Sequence, residues 1–157
     1  MLTPGKREVL LLLARRLEGC GFLWAVTGSA SFALQGMELP VHDVDIQTDE
    51  TGAYEIARLF PGAVAEPVRL CGNGRIRSHF GRLRLLGEDV ELMGAVQKRL
   101  DDGAWEPPVA LEPIRRTAEL EGVEIPVLDM AYECAAYRTL GRTDKARRME
   151  AFLRGRI

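Results

Sequence analysis

Residues 24–48 read WAVTGSASFALQGMELPVHDVDIQT, from Trp24 to Thr48. The apolar run at 22–26 predicts a buried strand. It stops at Thr27-Gly28-Ser29, and a helical segment carrying Phe32, Ala33 and Leu34 follows, with Ser29 as its cap and Gly36 as its stop. Residues 37–42 are a connection that Pro40 keeps extended. Asp43 and Asp45 then bracket Val44 in a second strand-like segment. Two residues apart on a strand, such side chains share a face, about 7 Å apart along the chain. Two carboxylates that close repel each other, and a bound cation is the commonest relief. A helix that starts just after a Gly-Ser turn offers free backbone N–H groups and a partial positive charge, both suited to phosphate. The stretch therefore predicts a phosphate-binding turn beside a Mg²⁺ site. The bland alternatives are an ordinary helix cap and a solvated strand edge, but Asp is poor in strands and two of them here flank a valine of the buried type.

Working outward, the whole chain has 157 residues, enough for one domain (1–157) with a proper core. Hydrophobic residues are 46% and charged residues 28%, as in an ordinary globular protein. The net charge of −2 implies no general affinity for DNA. It conceals an asymmetry: residues 138–157 hold seven basic residues against two acidic ones, net +5, leaving −7 for the remainder. Cys20, Cys71 and Cys134 have no metal-like spacing and are odd in number, so reduced thiols in a cytoplasmic protein are expected. The apolar run at 9–14 is too short, and too closely followed by Arg15 and Arg16, for a membrane span or a signal core.

Thr3-Pro4 predicts a helix start, with Val9, Leu10, Leu13, Ala14 and Leu17 at helical spacing and Gly19 as the stop. A further helix is expected over 52–60 and a short strand over 64–70, interrupted by Pro67. Alternation over 75–86 and 89–93 predicts a hairpin, with Gly87 as the first residue of a two-residue turn. On the return strand Asp89 and Glu91 share one face and Val90 and Leu92 the other. A third acid on a neighbouring strand is what a two-carboxylate site needs to hold a second ion or accept a proton. Glu91, mid-strand, is preferred over Asp89, next to the turn, though both could be surface acids. Residues 94–102 read as a short helix or loop, and 114–120 with 123–128 as a hairpin around Glu121-Gly122. Two helices close the chain, one from Asp129 to Leu140 and one after Thr143-Asp144. Arg142 and Lys145 lie at the start of the last, where cations oppose the helix dipole. A triphosphate would account for them, as would a merely solvated basic face. The two histidines, His42 and His79, are too few for a histidine metal site; His79 is either a base or structural.

Gly28-Ser29, Asp43-Val44-Asp45 and Val90-Glu91-Leu92 together resemble the nucleotidyltransferase superfamily that includes DNA polymerase beta. The likeness spans 22–93, with an echo at Leu140-Gly141-Arg142-Thr143-Asp144-Lys145. The chain looks most like the small, single-domain bacterial members: lincosamide and aminoglycoside nucleotidyltransferases, and abortive-infection type IV toxin nucleotidyltransferases. Asp45-Ile46-Gln47-Thr48 also matches the ending of the CCA-adding motif, but Ser31-Phe32 stands where that type has Arg-Asp.

The resemblance implies an α+β fold: a mixed, mostly antiparallel sheet of about five strands, helices on one face, and C-terminal helices (within 129–157) beside the site. It implies a Mg²⁺-dependent transfer of a nucleoside monophosphate from an NTP to a hydroxyl of a small molecule, RNA or protein. Asp43, Asp45 and Glu91 would hold two Mg²⁺ ions; Gly28, Ser29, Arg142 and Lys145 would hold the triphosphate. A homodimer is compatible with this, and a membrane partner is not expected. The alternative is an inactive relative that binds a nucleotide or serves as an antitoxin-type module.

Overall fold

The first helix begins where Thr3 and Pro4 place it: the Thr3 hydroxyl accepts from the Lys6 N–H at 3.3 Å, and proline fills the first helical position. In the computed structural model, which describes residues 1–155, the elements run α1 (Pro4–Arg16), β1 (Trp24–Thr27), α2 (Gly28–Leu34), β2 (Val44–Thr48), α3 (Glu50–Leu59), β3 (Val64–Gly72), β4 (Ile76–Leu85), β5 (Glu88–Lys98), β6 (Arg115–Leu120), β7 (Val123–Leu128), α4 (Met130–Thr139) and α5 (Thr143–Gly155). Arg156, one of the basic tail residues, lies outside the described residues. The strands form one sheet in the order β3-β4-β5-β2-β1-β7-β6. The pairs β2–β5 and β1–β7 are parallel and the other four are antiparallel.

This is the mixed, mostly antiparallel α+β architecture expected, with seven strands among the described residues rather than about five. Both hairpins extend the same sheet, one at each end. Val26, Val44, Ile46, Val90 and Leu92 are fully buried on one face, under Val9, Leu10 and Leu13 of α1 and Ile56 of α3. The alternate residues Asp45, Gln47 and Glu91 therefore face the other way. Burying Ile46 stabilises the fold by about 1.5–3 kcal/mol. A slip of one residue would exchange it for Asp45, so the register of β2 is firmly specified. A second, smaller core joins Phe32 of α2 to Met130 and Cys134 of α4 and Ala146 and Met149 of α5. It fixes the C-terminal helices beside the end of β1.

Two local expectations need correction. The β4–β5 turn is Leu86-Gly87, both at positive φ (51° and 78°), so glycine comes second. That is a type I′ turn, whose twist matches its strands; Glu121-Gly122 repeats it between β6 and β7 (50° and 80°). Residues 94–98 are strand, not helix or loop. Beyond the reach of β2, the loop that follows β5 folds back to pair with it, Val109 N–H donating to Val96 C=O at 3.0 Å and Glu106 N–H to Lys98 C=O at 2.8 Å.

Leu86 is 61% exposed and adopts a backbone conformation that favours glycine and asparagine. Leu86→Asn is therefore expected to stabilise the protein by about 0.5–1 kcal/mol, read as a higher urea midpoint with an unchanged slope.

Candidate active site

The parallel pairing of β2 with β5 sets Asp45 directly opposite Glu91. Asp43 precedes β2 by one residue and turns toward the same carboxylate. Burial, followed by the charge of Glu91, pushes the Asp45 carboxyl up to about 8. Asp43 is raised for the same two reasons in the same order. One Asp45 oxygen, Oδ1, is buried without a hydrogen-bond partner. Glu91 is held from the other side by Arg82 of β4, whose Nη2 donates to its Oε1 at 2.9 Å while Nη1 donates to Glu66 at 2.6 Å. Asp89 is engaged elsewhere, with Arg84 at 2.8 Å.

At the end of β1, Gly28 opens α2 at φ 69°, and a Cβ there would meet Asp45 Oδ2 at 2.8 Å. Only glycine fits against the carboxylate without a shift. Its N–H, expected to face phosphate, donates to Glu133 Oε1 at 3.1 Å, and the Thr27 hydroxyl donates to the same oxygen. Ser29 Oγ accepts from the His42 N–H at 3.2 Å. Glu133, on α4, is buried; desolvation raises its carboxyl well above the usual range, and Oε2 has no partner. Glu133 thus ties α4 to the Gly-Ser turn. Its signal in the sequence was a lone acid on the apolar side of that helix, between Met130 and Tyr137.

The expected cations come close. Lys145 is partly withdrawn from solvent; burial, then Arg142, lowers its pKa, and the charges of Asp45 and Glu133 oppose that. Its Nζ lies 4.7 Å from the Tyr137 ring centroid, and Arg142 Cζ lies 5.0 Å from it. His79 goes elsewhere: its Nδ1 meets Tyr54 Oη at 3.0 Å and its Nε2 meets Glu50 at 2.9 Å, both on α3.

Two cavities meet at Arg142. One, of about 270 Å³, runs between the sheet and α4 past Asp45, Glu91, Met93, Glu133 and Tyr137. The other, of about 400 Å³, is basic, with Ser29, His42, Lys145 and Arg148 in its lining. Among the described residues, no three His, Cys, Asp or Glu side chains form a ready-made metal cage. Even so, the donor set fits a hard divalent cation. Asp43, Asp45 and Glu91 are oxygen ligands under mutual repulsion, and one Asp45 oxygen is orphaned.

The profile of the aminoglycoside-2''-adenylyltransferase family matches residues 9–152. A crystal structure of a provisionally assigned nucleotidyltransferase from Thermotoga maritima is 48% identical, with a TM-score of 0.87 over 99% of this chain and 96% of that one. The lincomycin-bound lincosamide antibiotic adenylyltransferase LnuA superposes with a TM-score of 0.53 over 83% of each chain at 11% identity, a likeness of fold. Among curated proteins no sequence matches.

Asp45 titrates at about 8 when folded, against 3.8 for the free group. For a raised acid, folding takes up a proton between these values. The stability it contributes is complete below pH 3.8 and is lost as pH rises to about 8. Asp45→Asn, which has no charge to bury, is therefore expected to raise the melting temperature of the metal-free protein. The gain should grow between pH 5 and pH 8 in a thermal series; a gain independent of pH would contradict it.

Proposed function

The chain belongs to the aminoglycoside-2''-adenylyltransferase family and is a nucleotidyltransferase; on that premise we propose that it moves a nucleoside monophosphate from an NTP to a hydroxyl acceptor in a Mg²⁺-dependent reaction. The observation that carries this reading is Asp45: half-buried, with one oxygen buried and short of a hydrogen-bond partner, and raised by the charges of Glu91 and Asp43. Such a group is tolerable when a divalent cation shares it.

Asp43, Asp45 and Glu91 would hold the metal. When bound, Mg²⁺ neutralises triphosphate charge and polarises the α-phosphoryl group. The remaining work falls to the chain's own side chains. Arg142, at the junction of the two cavities, and Lys145, in the basic one, would face the β and γ phosphates, with Ser29 and Arg148 in that same basic cavity. The acceptor oxygen bonds to the α phosphorus, the bond from that phosphorus to the bridging oxygen breaks, and pyrophosphate leaves. Glu91, on β5 opposite Asp45, would take the hydroxyl proton, with Arg82 fixing its carboxylate. Glu133 would position Gly28 rather than touch phosphate. Positioning and charge neutralisation suffice for this chemistry.

Residues 1–157 act as one domain on this reading, with the acids within 22–93. Among the described residues no helix is long and apolar enough to cross a membrane, and Cys20, Cys71 and Cys134 are free thiols, which suits a reducing cytoplasm.

The test is pyrophosphate release from each NTP with Mg²⁺ and a panel of hydroxyl acceptors, total RNA included. Asp45→Ala is expected to lower the rate by about 10³-fold or more, since metal-borne charge stabilisation is worth several kcal/mol; chelation should abolish it. Wild-type release no faster than that of Asp45→Ala would overturn the assignment.

A further inference from the structure

Among the described residues, two buried side-chain oxygens have no hydrogen-bond partner: Asp45 Oδ1 and Glu133 Oε2. Both side chains line the 270 Å³ cavity. The metal reading accounts for the first and leaves the second. Glu133 is only 4% exposed, and its Oε1 already serves the turn, taking the Gly28 N–H and the Thr27 hydroxyl. A tether needs that oxygen alone. The second oxygen is removed from water with nothing in the chain to offset the cost. Lys145 acts on Glu133 through its charge but keeps its Nζ over the Phe32 and Tyr137 rings, 5.9 and 4.7 Å from their centroids.

Gly28 gauges how far Glu133 stands from Asp45. Its N–H meets Glu133 Oε1 at 3.1 Å, and a Cβ on it would meet Asp45 Oδ2 at 2.8 Å. Those two oxygens are therefore no more than roughly 8.5 Å apart, two contacts joined by the width of one residue. The sugar hydroxyls of a nucleotide lie about 5–6 Å from its α phosphorus by ordinary bond lengths. A donor whose α-phosphoryl group sits at Asp45 thus brings its sugar to Glu133. Beyond Glu133 the cavity has Ala136 and Tyr137 of α4 on one side and Met93 and Val96 of β5 on the other. Val96 is placed there by a bulge. From Arg77 to His79 β4 advances two residues, while β5 advances three from Gly94 to Gln97, with Ala95 at a φ of 54°. The extra residue turns Val96 and Lys98 to the side of Met93. Apolar and aromatic walls of this kind suit a base.

We propose that Glu133 Oε2 takes a sugar hydroxyl of the donor nucleotide and selects donors by it. The inference rests on the transferase reading and adds to it the part of the donor that this carboxyl recognises. A hydroxyl both donates and accepts, so it satisfies Oε2 whether or not the carboxyl holds a proton. An ammonium group of an acceptor could meet only the ionised form, which burial disfavours here. A donor lacking the hydroxyl leaves Oε2 unpaired in a dry site, and a loss of that kind discriminates.

The experiment is calorimetric titration of the full chain, in Mg²⁺ and without acceptor, using a non-hydrolysable α,β-analogue of ATP and its 2′-deoxy and 3′-deoxy counterparts. At least one deoxy analogue is expected to bind about fivefold or more weakly than the parent, the scale of one hydrogen bond. Glu133→Met should shrink that preference to less than about twofold. Loss of the tether to Gly28 would weaken all three alike and leave their ratio unchanged, so the ratio separates the two roles. Glu133→Gln, whose amide can accept from the turn and donate to the sugar, should keep the preference. Should the Met chain fail to fold, NMR of the glutamate carboxyl carbons in the wild type reads the same contact: the Glu133 signal should move with the parent analogue and less with the weaker deoxy one. Equal binding of all three by the wild type, a preference that survives Glu133→Met, or a Glu133 signal that moves alike with all three overturns the inference and leaves the transferase reading standing. Failure of every analogue to bind removes both.

Discussion

Asp45 and Glu91 face each other across the parallel pair β2–β5, and the site follows from that opposition. Neither strand chooses it alone. Ile46 and Leu92 are fully buried on the far side of the same pair, so the hydrophobic gain that locks the register also forces the two acids together. Desolvation then does more than their mutual repulsion to hold Asp45 protonated near neutrality. In that state the site has a proton to exchange for a cation. Arg82 donates to Glu91, and the Lys145 charge favours the ionised form of Asp45, so the two cations offset part of the acidic charge.

The C-terminal helices belong to this site as much as the sheet does. Gly28 must lie close against Asp45, with its N–H donating to a side chain of the protein itself. Glu133 receives that N–H together with the Thr27 hydroxyl, so α4 is fastened to the turn through a single carboxylate oxygen. The small core of Phe32, Met130, Cys134, Ala146 and Met149 holds the helix there and brings Lys145 over Tyr137. Packing and charge placement are thereby coupled: the apolar contacts that dock α5 are those that aim its cations.

Much of the helical and strand structure was legible in local pattern. Thr3-Pro4 set the start of α1, the alternation around Val44 and Ile46 marked β2, and Glu121-Gly122 marked a hairpin. Leu86-Gly87 was misread by one place because leucine gives no sign that it will adopt positive φ; the twist of the long β4–β5 ribbon imposes it. The extension of β5 through Lys98 was hidden for a related reason. The bulge at Ala95 breaks the period of two on which strand reading relies, and its partners come from a loop near residues 106–109.

The sequence by itself determined the family, the mixed fold and the three acids of the candidate site, because spacing along a strand and the residues of a turn are local properties that chain order preserves. Tertiary structure alone decided that Arg82 holds Glu91, that Glu133 takes the Gly28 N–H, and that Lys98 enters the cavity. Those outcomes depend on which distant segments share a register and on how far each carboxylate or amine is removed from water. Both are set by packing across the whole sheet, and neither leaves a trace in the order of neighbouring residues.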